Sequence, residues 1–218
     1  EAGFPEPVVV DAQFDPDPDF PTVAFPNPEE PGAMDAVQAL ATEHQATLAC
    51  ANDPDADRLA VAVRTPAGDY QMLTGDMLGV LLGNYLLRQE HAFVPIVCTT
   101  IVSSSMLQSI ASAAGADYYE TLTGFKWLTN VALHHEDDQH RLLFAYEEAL
   151  GYACDRQVRD KDGLSALLVF AQMTEALSRE GKTVLDQLES LYRQHGLFLT
   201  GQRSIALQAG ARPIGELL

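Results

Sequence analysis

Residues 49–63, "ACANDPDADRLAVAV", set three aspartates at alternate positions between two apolar runs. The flanking runs, "ATLACAN" (46–52) and "LAVAVRT" (59–65), read as buried strands, so the acidic segment is the turn between them. Asp53, Asp55 and Asp57 repel one another, and Arg58 stands directly behind them. Oxygen ligands at i, i+2 and i+4 after a buried strand suit a hard cation such as Mg²⁺ or Ca²⁺. A calcium-binding EF-hand loop opens the same way but needs Gly at its sixth position and Glu at its twelfth. Here those positions are Arg58 and Arg64, which excludes it. Three carboxylates nearly neutralise a dication and leave room for an anionic ligand oxygen, and an arginine suits phosphate. The plain alternative is a solvated acidic turn closed by an arginine.

Upstream, residues 1–33 hold eight of the twelve prolines, which predicts extended coil with one short strand at Val8–Val10. A helix is expected from Met34 to about His44. "PAGDY" (66–70) is read as a turn by its Pro, Gly and Asp content. Beyond Thr74 the chain alternates. Helix Asp76–Gln89 precedes strand "PIVCTTI" (95–101), helix Ser105–Ala114 precedes strand "DYYET" (117–121), and helix Phe125–His134 precedes strand "RLLFAYE" (141–147). Helices Leu164–Ser178 and Val184–His195 follow. This alternation predicts an α/β fold with a largely parallel sheet and a boundary near residue 74.

The 218 residues carry 31 acidic and 13 basic side chains, a net charge of −18. That balance argues against nucleic acid or an anionic membrane surface as partner. Lys126, Lys161 and Lys182 are the only lysines. Cys50, Cys98 and Cys154 are widely spaced and lie in or beside apolar runs, which predicts free thiols in a reduced cytoplasm. No apolar run reaches the ~18 residues of a membrane span, and the start has no basic-then-apolar leader. The chain opens at "EAGFPEP" without an initiator Met, which suggests a processed, trimmed or longer protein.

Other chemistry-bearing residues have plainer readings. Ser103–Ser105 opens a helix, and N-capping is favoured over a nucleophile because no histidine base has a suitable spacing. His134, His135 and His140 in "HHEDDQH" read as a polar loop more readily than as transition-metal ligands. Trp127 is expected in the core.

"NDPDADR" (52–58) before an apolar strand resembles the metal loop of the α-D-phosphohexomutases, the phosphoglucomutase/phosphomannomutase superfamily. "FPTVAFPNPEE" (20–30), "TLTGFKWLTN" (121–130), "FAYEEALGY" (144–152) and "RDKDGLSALL" (159–168) resemble further blocks of that family, in its order. The wording is most similar to the branch with phosphopentomutase-like members. Family members have four domains around a cleft, and neither the phosphorylated-serine motif of the first nor the phosphate loop of the fourth occurs here. "ARPIGELL" (211–218) does not match the latter. The resemblance therefore implies mixed α/β domains, one partial and one complete. Residues 1–74 would be the C-terminal part of domain 2, 75–202 domain 3, and 203–218 the start of a link to domain 4.

The resemblance also implies roles. Asp53, Asp55 and Asp57 would hold Mg²⁺, which the phosphoserine of another domain would also ligate, and Arg58 would add positive charge to the transferring group. Glu147 would accept hydrogen bonds from sugar hydroxyls. Glu148, pointing the opposite way on an extended strand, would brace the loop. Ala149 stands where many relatives have Ser, so one sugar contact is lost. Lys161 would be a general acid/base or phosphate contact. Thr123, Gly124 and Lys126 would face the sugar, and Arg159 would either support phosphate or pair with an acid.

The reading that follows is a cytoplasmic, Mg²⁺-dependent phosphosugar mutase, working through a bisphosphate intermediate on a phosphosugar substrate. It would need the N- and C-terminal domains that this chain lacks, so the chain alone would be inactive. A non-catalytic metal- and sugar-phosphate-binding module is the alternative. An aspartyl-nucleophile phosphatase is a third, weakened because Asp55 lies among acids instead of in an apolar D-x-D-x-T run.

Overall fold

A computed structural model describes residues 3–201. The expected linker at 203–218, "ARPIGELL" included, lies outside the described residues. Up to Met34 the chain is irregular apart from a four-residue helix, α1 (Asp11–Phe14). The strand expected at Val8–Val10 does not form. Val8 and Val9 are exposed, and the nearby prolines deny a partner strand the donors it would need.

Helix α2 (Asp35–Glu43) packs on β1 (Leu48–Asn52), which pairs antiparallel with β2 (Leu59–Arg64) in the register Asn52↔Leu59. The aspartate segment is thus the connection of a hairpin. A third strand, β3 (Tyr70–Met72), pairs antiparallel with β2 and takes up the last residue of the segment expected to turn. The Tyr70 hydroxyl donates to the carbonyls of Ala41 and Ala46, tying β3 to the end of α2. β2 is central, and Leu59–Val63 are all buried, which is why it reads as a continuous apolar run.

Helix α3 (Gly75–Leu87) is capped by the Thr74 hydroxyl, which accepts from the amide of Met77 at 3.2 Å. Then come β4 (Val94–Thr100), α4 (Met106–Ala114), β5 (Asp117–Thr121), α5 (Phe125–His135) and β6 (His140–Glu147). The short β7 (Gly151–Ala153), α6 (Gly163–Arg179) and α7 (Val184–His195) complete the chain. The second sheet has the order β5-β4-β6-β7; β4 runs parallel to β5 and β6, and β7 antiparallel to β6. The protein is therefore mixed α/β, with the parallel arrangement confined to the second sheet.

Gly79 and Gly83 let α3 lie close to that sheet. A Cβ on Gly79 would press into the Tyr146 ring, and one on Gly83 into Leu107 and Phe144. Thr183 and Asp186 form a reciprocal capping box on α7. Cys98 and Cys154 are buried and Cys50 half-buried, all free thiols; burial pushes Cys50 and Cys98 up to about 12. Among the described residues no helix is long and apolar enough to cross a membrane.

The two sheets meet beside the hairpin connection. Arg58 forms an isolated antiparallel bridge with Gly151, and the Leu59 amide donates to the Leu150 carbonyl at 3.1 Å. The first amide of α6, on Gly163, donates to the Ala56 carbonyl at 3.1 Å. A Cβ on Gly163 would collide with the carbonyls of Ala56 and Arg58 and with Asn52. These contacts carry the acidic turn to the C-terminal edge of the parallel strands, the edge where open α/β sheets bind ligands.

Candidate active site

Within the turn, the Ala56 amide donates to the Asp53 carbonyl at 2.9 Å, and Ala56 itself takes a left-handed φ of 59°. That conformation folds the loop back so that one oxygen from each of Asp53, Asp55 and Asp57 lies within 4.8 Å of the others. The Asp53 side chain is only 1% exposed. Its Oδ1 accepts from the Arg58 amide at 3.0 Å and its Oδ2 from Arg58 Nε at 2.8 Å. Burial alone would raise the Asp53 carboxyl, but these two bonds, with a hydrogen bond from Asp55 and the charge of Arg58, outweigh it and hold the group below its usual value. Asp55 moves the other way, raised by its hydrogen bond with Asp53 and by repulsion from Asp53 and Asp57.

Asp57 divides its two oxygens. Oδ2 receives Lys161 Nζ at 2.8 Å. Oδ1 is buried with no hydrogen-bond partner, and Arg58 Nε stands 3.8 Å away. An orphaned buried carboxylate oxygen is costly unless something else meets it. Three converging carboxylates, one with an unmatched oxygen, are the donor set that a hard divalent cation takes. These residues fit such an ion.

Lys161 joins the turn to the second sheet. Its ammonium lies 5.7 Å from the centroid of Phe125, and its stem fills the space that a Cβ on Gly151 would need. Burial alone would lower its pKa, but Asp57 and Asp160 more than offset this and raise it. Next to Phe125 in the chain, the Gly124 amide donates to Glu147 Oε1 at 2.7 Å. Gly124 has φ 122°, a region that favours glycine, and it is the residue that opens α5. The Glu147 carboxylate therefore lies at the end of β6, held by the turn that precedes α5.

Glu148 points elsewhere. Its Oε2 accepts from Ser103 Oγ at 2.9 Å and from Thr100 Oγ1 at 3.1 Å. Its carbonyl packs so tightly on Gly75 that no Cβ could stand there. Ser103 is thus spent on Glu148. The capping of α4 falls to Ser104, whose Oγ accepts from the Met106 amide at 3.3 Å, and Ser105 makes no side-chain cap bond.

The structure brings Asp53, Asp55, Asp57, Arg58 and Lys161 together, with Glu147 and Gly124 on the adjoining wall. Thr123 and Ala149 are exposed on the surrounding loops, and Lys126 is exposed in the first turn of α5. Arg159 is exposed on the loop before α6, and among the described residues no hydrogen bond or ion pair joins it to the turn or to Glu147. Trp127, expected in the core, is 48% exposed, with Lys126 Nζ 5.1 Å from its ring centroid. Its place two residues after the buried Phe125 puts it on the outer face of α5. Of the histidines in "HHEDDQH", His134 and His135 close α5, and His140 bonds Asp137 at 2.9 Å.

Residues the motifs did not single out also line the site. The Asn52 side chain donates to the Arg58 carbonyl at 2.7 Å, and Arg58 Nη1 reaches Asn27 Oδ1 at 3.4 Å. The Glu29 carboxyl is raised chiefly by burial; Arg58 works against the rise, and the negative charges of Glu148 and Glu30 add to it. Asn27, Glu29 and Asn52 all lie inside quoted motifs (20–30 and 52–58) without a role of their own there; a single polar residue leaves no periodic signal, so its part in the site is read from contact.

Residues 1–68 match the family model described as "Phosphoglucomutase/phosphomannomutase, alpha/beta/alpha domain II". Residues 74–195 match the one for domain III of the same family. The chain belongs to the phosphoglucomutase/phosphomannomutase family. It is 43% identical over 219 residues to the "Probable phosphomannomutase" of Haemophilus influenzae, a match covering all of this chain and 43% of that protein. It is 41% identical over 203 residues to the phosphopentomutase of Mus musculus, covering 89% of this chain and 33% of that one. The fold is similar to the open form of the Paramecium phosphoglucomutase parafusin, with a TM-score of 0.62 at 22% identity over 79% of this chain and 30% of that chain. The family chain described here thus spans less than half the length of the curated relatives it matches.

Proposed function

We propose that this chain is the metal- and sugar-binding portion of a phosphosugar mutase, which moves a phosphoryl group between the C1 hydroxyl and the C6 or C5 hydroxyl of a sugar phosphate through a bisphosphate intermediate. The family membership and the names of the relatives support the reaction class. The observation that carries the reading for this chain is the Lys161–Asp57 contact, which makes the acidic turn and the Glu147 wall one surface.

In this reading Asp53, Asp55 and Asp57 hold Mg²⁺. The ion, when bound, would withdraw negative charge from the phosphoryl group in transfer. Phosphoryl transfer is mostly positioning and charge neutralisation, and the remaining work falls to side chains. Arg58, held by Asp53 through its amide and Nε and reaching Asn27 through Nη1, supplies a second positive charge beside the ion. Glu147 accepts from sugar hydroxyls and so fixes which hydroxyl meets the phosphoryl group, while the Gly124 amide keeps its carboxylate in place. Lys161 is the proton-transferring or phosphate-contacting group at the same wall. Thr123, Lys126 and Arg159 complete the sugar-phosphate contacts, and Ala149 leaves one of them out.

Residues 1–74 serve as the C-terminal part of the second domain and 75–202 as the third, with 203–218 leading onward. The phosphorylated serine and the second phosphate loop come from further domains of the same enzyme, in the cytoplasm. An aspartyl-nucleophile phosphatase is disfavoured, because Asp53 is buried and both its oxygens are already engaged by Arg58.

The test compares glucose 1-phosphate and ribose 1-phosphate turnover, with Mg²⁺ and glucose 1,6-bisphosphate, by the 218-residue chain and by the same chain with flanking domains restored. The longer protein should turn over and the shorter should bind without turning over. Turnover by neither, with the serine of the longer protein phosphorylated, would reject the mutase reading in favour of a binding module.

A further inference from the structure

The two oxygens of Asp57 behave differently, and the difference points at Lys161. Oδ2 is fixed by Lys161 Nζ at 2.8 Å, while Oδ1 is buried and unpartnered. Asp53 has Arg58 on both oxygens to hold it, whereas Asp55 is exposed and has no basic partner among the described residues. Asp57 thus depends on a residue about a hundred positions away for its orientation. Lys161 is itself held by packing. Its stem lies against Gly151 where any Cβ would displace it, its ammonium faces the Phe125 ring, and Asp160 Oδ1 takes a second bond at 3.3 Å.

We infer that Lys161 is a positioning residue of the metal turn: it clamps Asp57 Oδ2 so that Oδ1 faces the cation, and thereby links metal affinity to the wall formed by Gly151 and Phe125. Groups that hydrogen-bond a metal ligand from behind orient it, and losing one typically costs about 10–100-fold in metal affinity. The inference rests on the metal-turn reading above and assigns Lys161 a task on the ion side of the site, in addition to its contact with the phosphosugar.

The sign of the effect separates this from simple electrostatics. If Lys161 is only a nearby positive charge, removing it relieves repulsion and Mg²⁺ binds more tightly. If it positions Asp57, removing it weakens binding.

The experiment titrates the 218-residue chain with Mg²⁺, and with Mn²⁺ as a spectroscopic probe, by calorimetry and by Mn²⁺ electron paramagnetic resonance. The wild-type chain is compared with Lys161→Met, Gly151→Ala and, as a charge control, Lys182→Gln. Gly151→Ala keeps the charge but pushes the lysine stem aside, so it tests position alone. Circular dichroism and thermal unfolding in EDTA show whether each variant is folded. Lys161→Met and Gly151→Ala should each weaken Mg²⁺ binding about 10-fold, with Lys182→Gln unchanged. Unchanged or tighter binding in folded Lys161→Met overturns the inference; should that variant fail to fold, Gly151→Ala decides by the same criterion. Absence of Mg²⁺ and Mn²⁺ binding by the folded wild-type chain instead removes the metal-turn reading on which the inference stands.

Discussion

Arg58 is the counter-charge that lets a buried carboxylate exist at the mouth of the hairpin. Asp53 has a side chain 1% exposed and keeps its charge because the amide and Nε of Arg58 both reach it. Arg58→Met leaves the amide bond and removes the guanidinium, so stability should fall by about 2 kcal/mol, the usual worth of a hydrogen bond to a charged group. The pH dependence carries the sign. A carboxyl whose folded pKa lies below its unfolded value stabilises the fold above the unfolded value, and that stability is lost as pH falls through the folded pKa. Urea titrations between pH 3 and pH 7 should therefore show a steeper acid loss in the wild-type chain than in Arg58→Met. Parallel curves would mean that Asp53 owes its low pKa to the amide and to Asp55 instead of the guanidinium. Ala56, with φ 59°, is the one strained link in the turn, at a cost of about 1 kcal/mol that the convergence of the three aspartates justifies.

At the scale of elements, the packing of α3 on β6 places the Glu147–Glu148 end of the strand. Gly79 lies against the face of Tyr146, and the Tyr146 hydroxyl donates to Asp76 Oδ1 at 3.0 Å. Asp76 also accepts from the Ser104 amide at 2.7 Å, so one helix start holds both the end of β6 and the loop after β4. A methyl at position 79 must displace the tyrosine ring. Gly79→Ala should lower stability by about 1–3 kcal/mol, the range for overpacking a closed core, in spite of alanine's better helix propensity. Chemical denaturation measures it, and a stabilised variant would show that α3 can move away from the sheet freely. The short β3 and β7 escaped the pattern reading because three residues are too few for a period.

For the whole molecule, 31 acidic side chains against 13 basic ones make a cation at the turn doubly useful, since it relieves both the local cluster and the global field. Mg²⁺ at 100 times its dissociation constant should raise stability by about 2.7 kcal/mol through binding to the folded state alone. A thermal melt with Mg²⁺ and with EDTA checks this, and Asp57→Asn should lose most of the shift. An equal shift in that variant would place the ion elsewhere on the acidic surface.

The alternation beyond Thr74, the hairpin around "NDPDADR" and most helix bounds were open to reading along the chain, because strand and helix periods and capping residues are local properties. The metal-turn carboxylates, at i, i+2 and i+4, were legible for the same reason. Three features were not. Trp127 lies outside because Phe125 takes the inward position of the same turn; Ser103 serves Glu148 instead of α4; and Lys161 meets Asp57 across 104 positions. Each depends on which surfaces face each other once the sheets are joined at Arg58 and Gly151, and local periodicity carries no record of that distance. Sequence by itself determined the class of fold and the acidic ligands; the tertiary structure decided which basic group completes them, because a charge pair needs proximity in space, which only packing supplies.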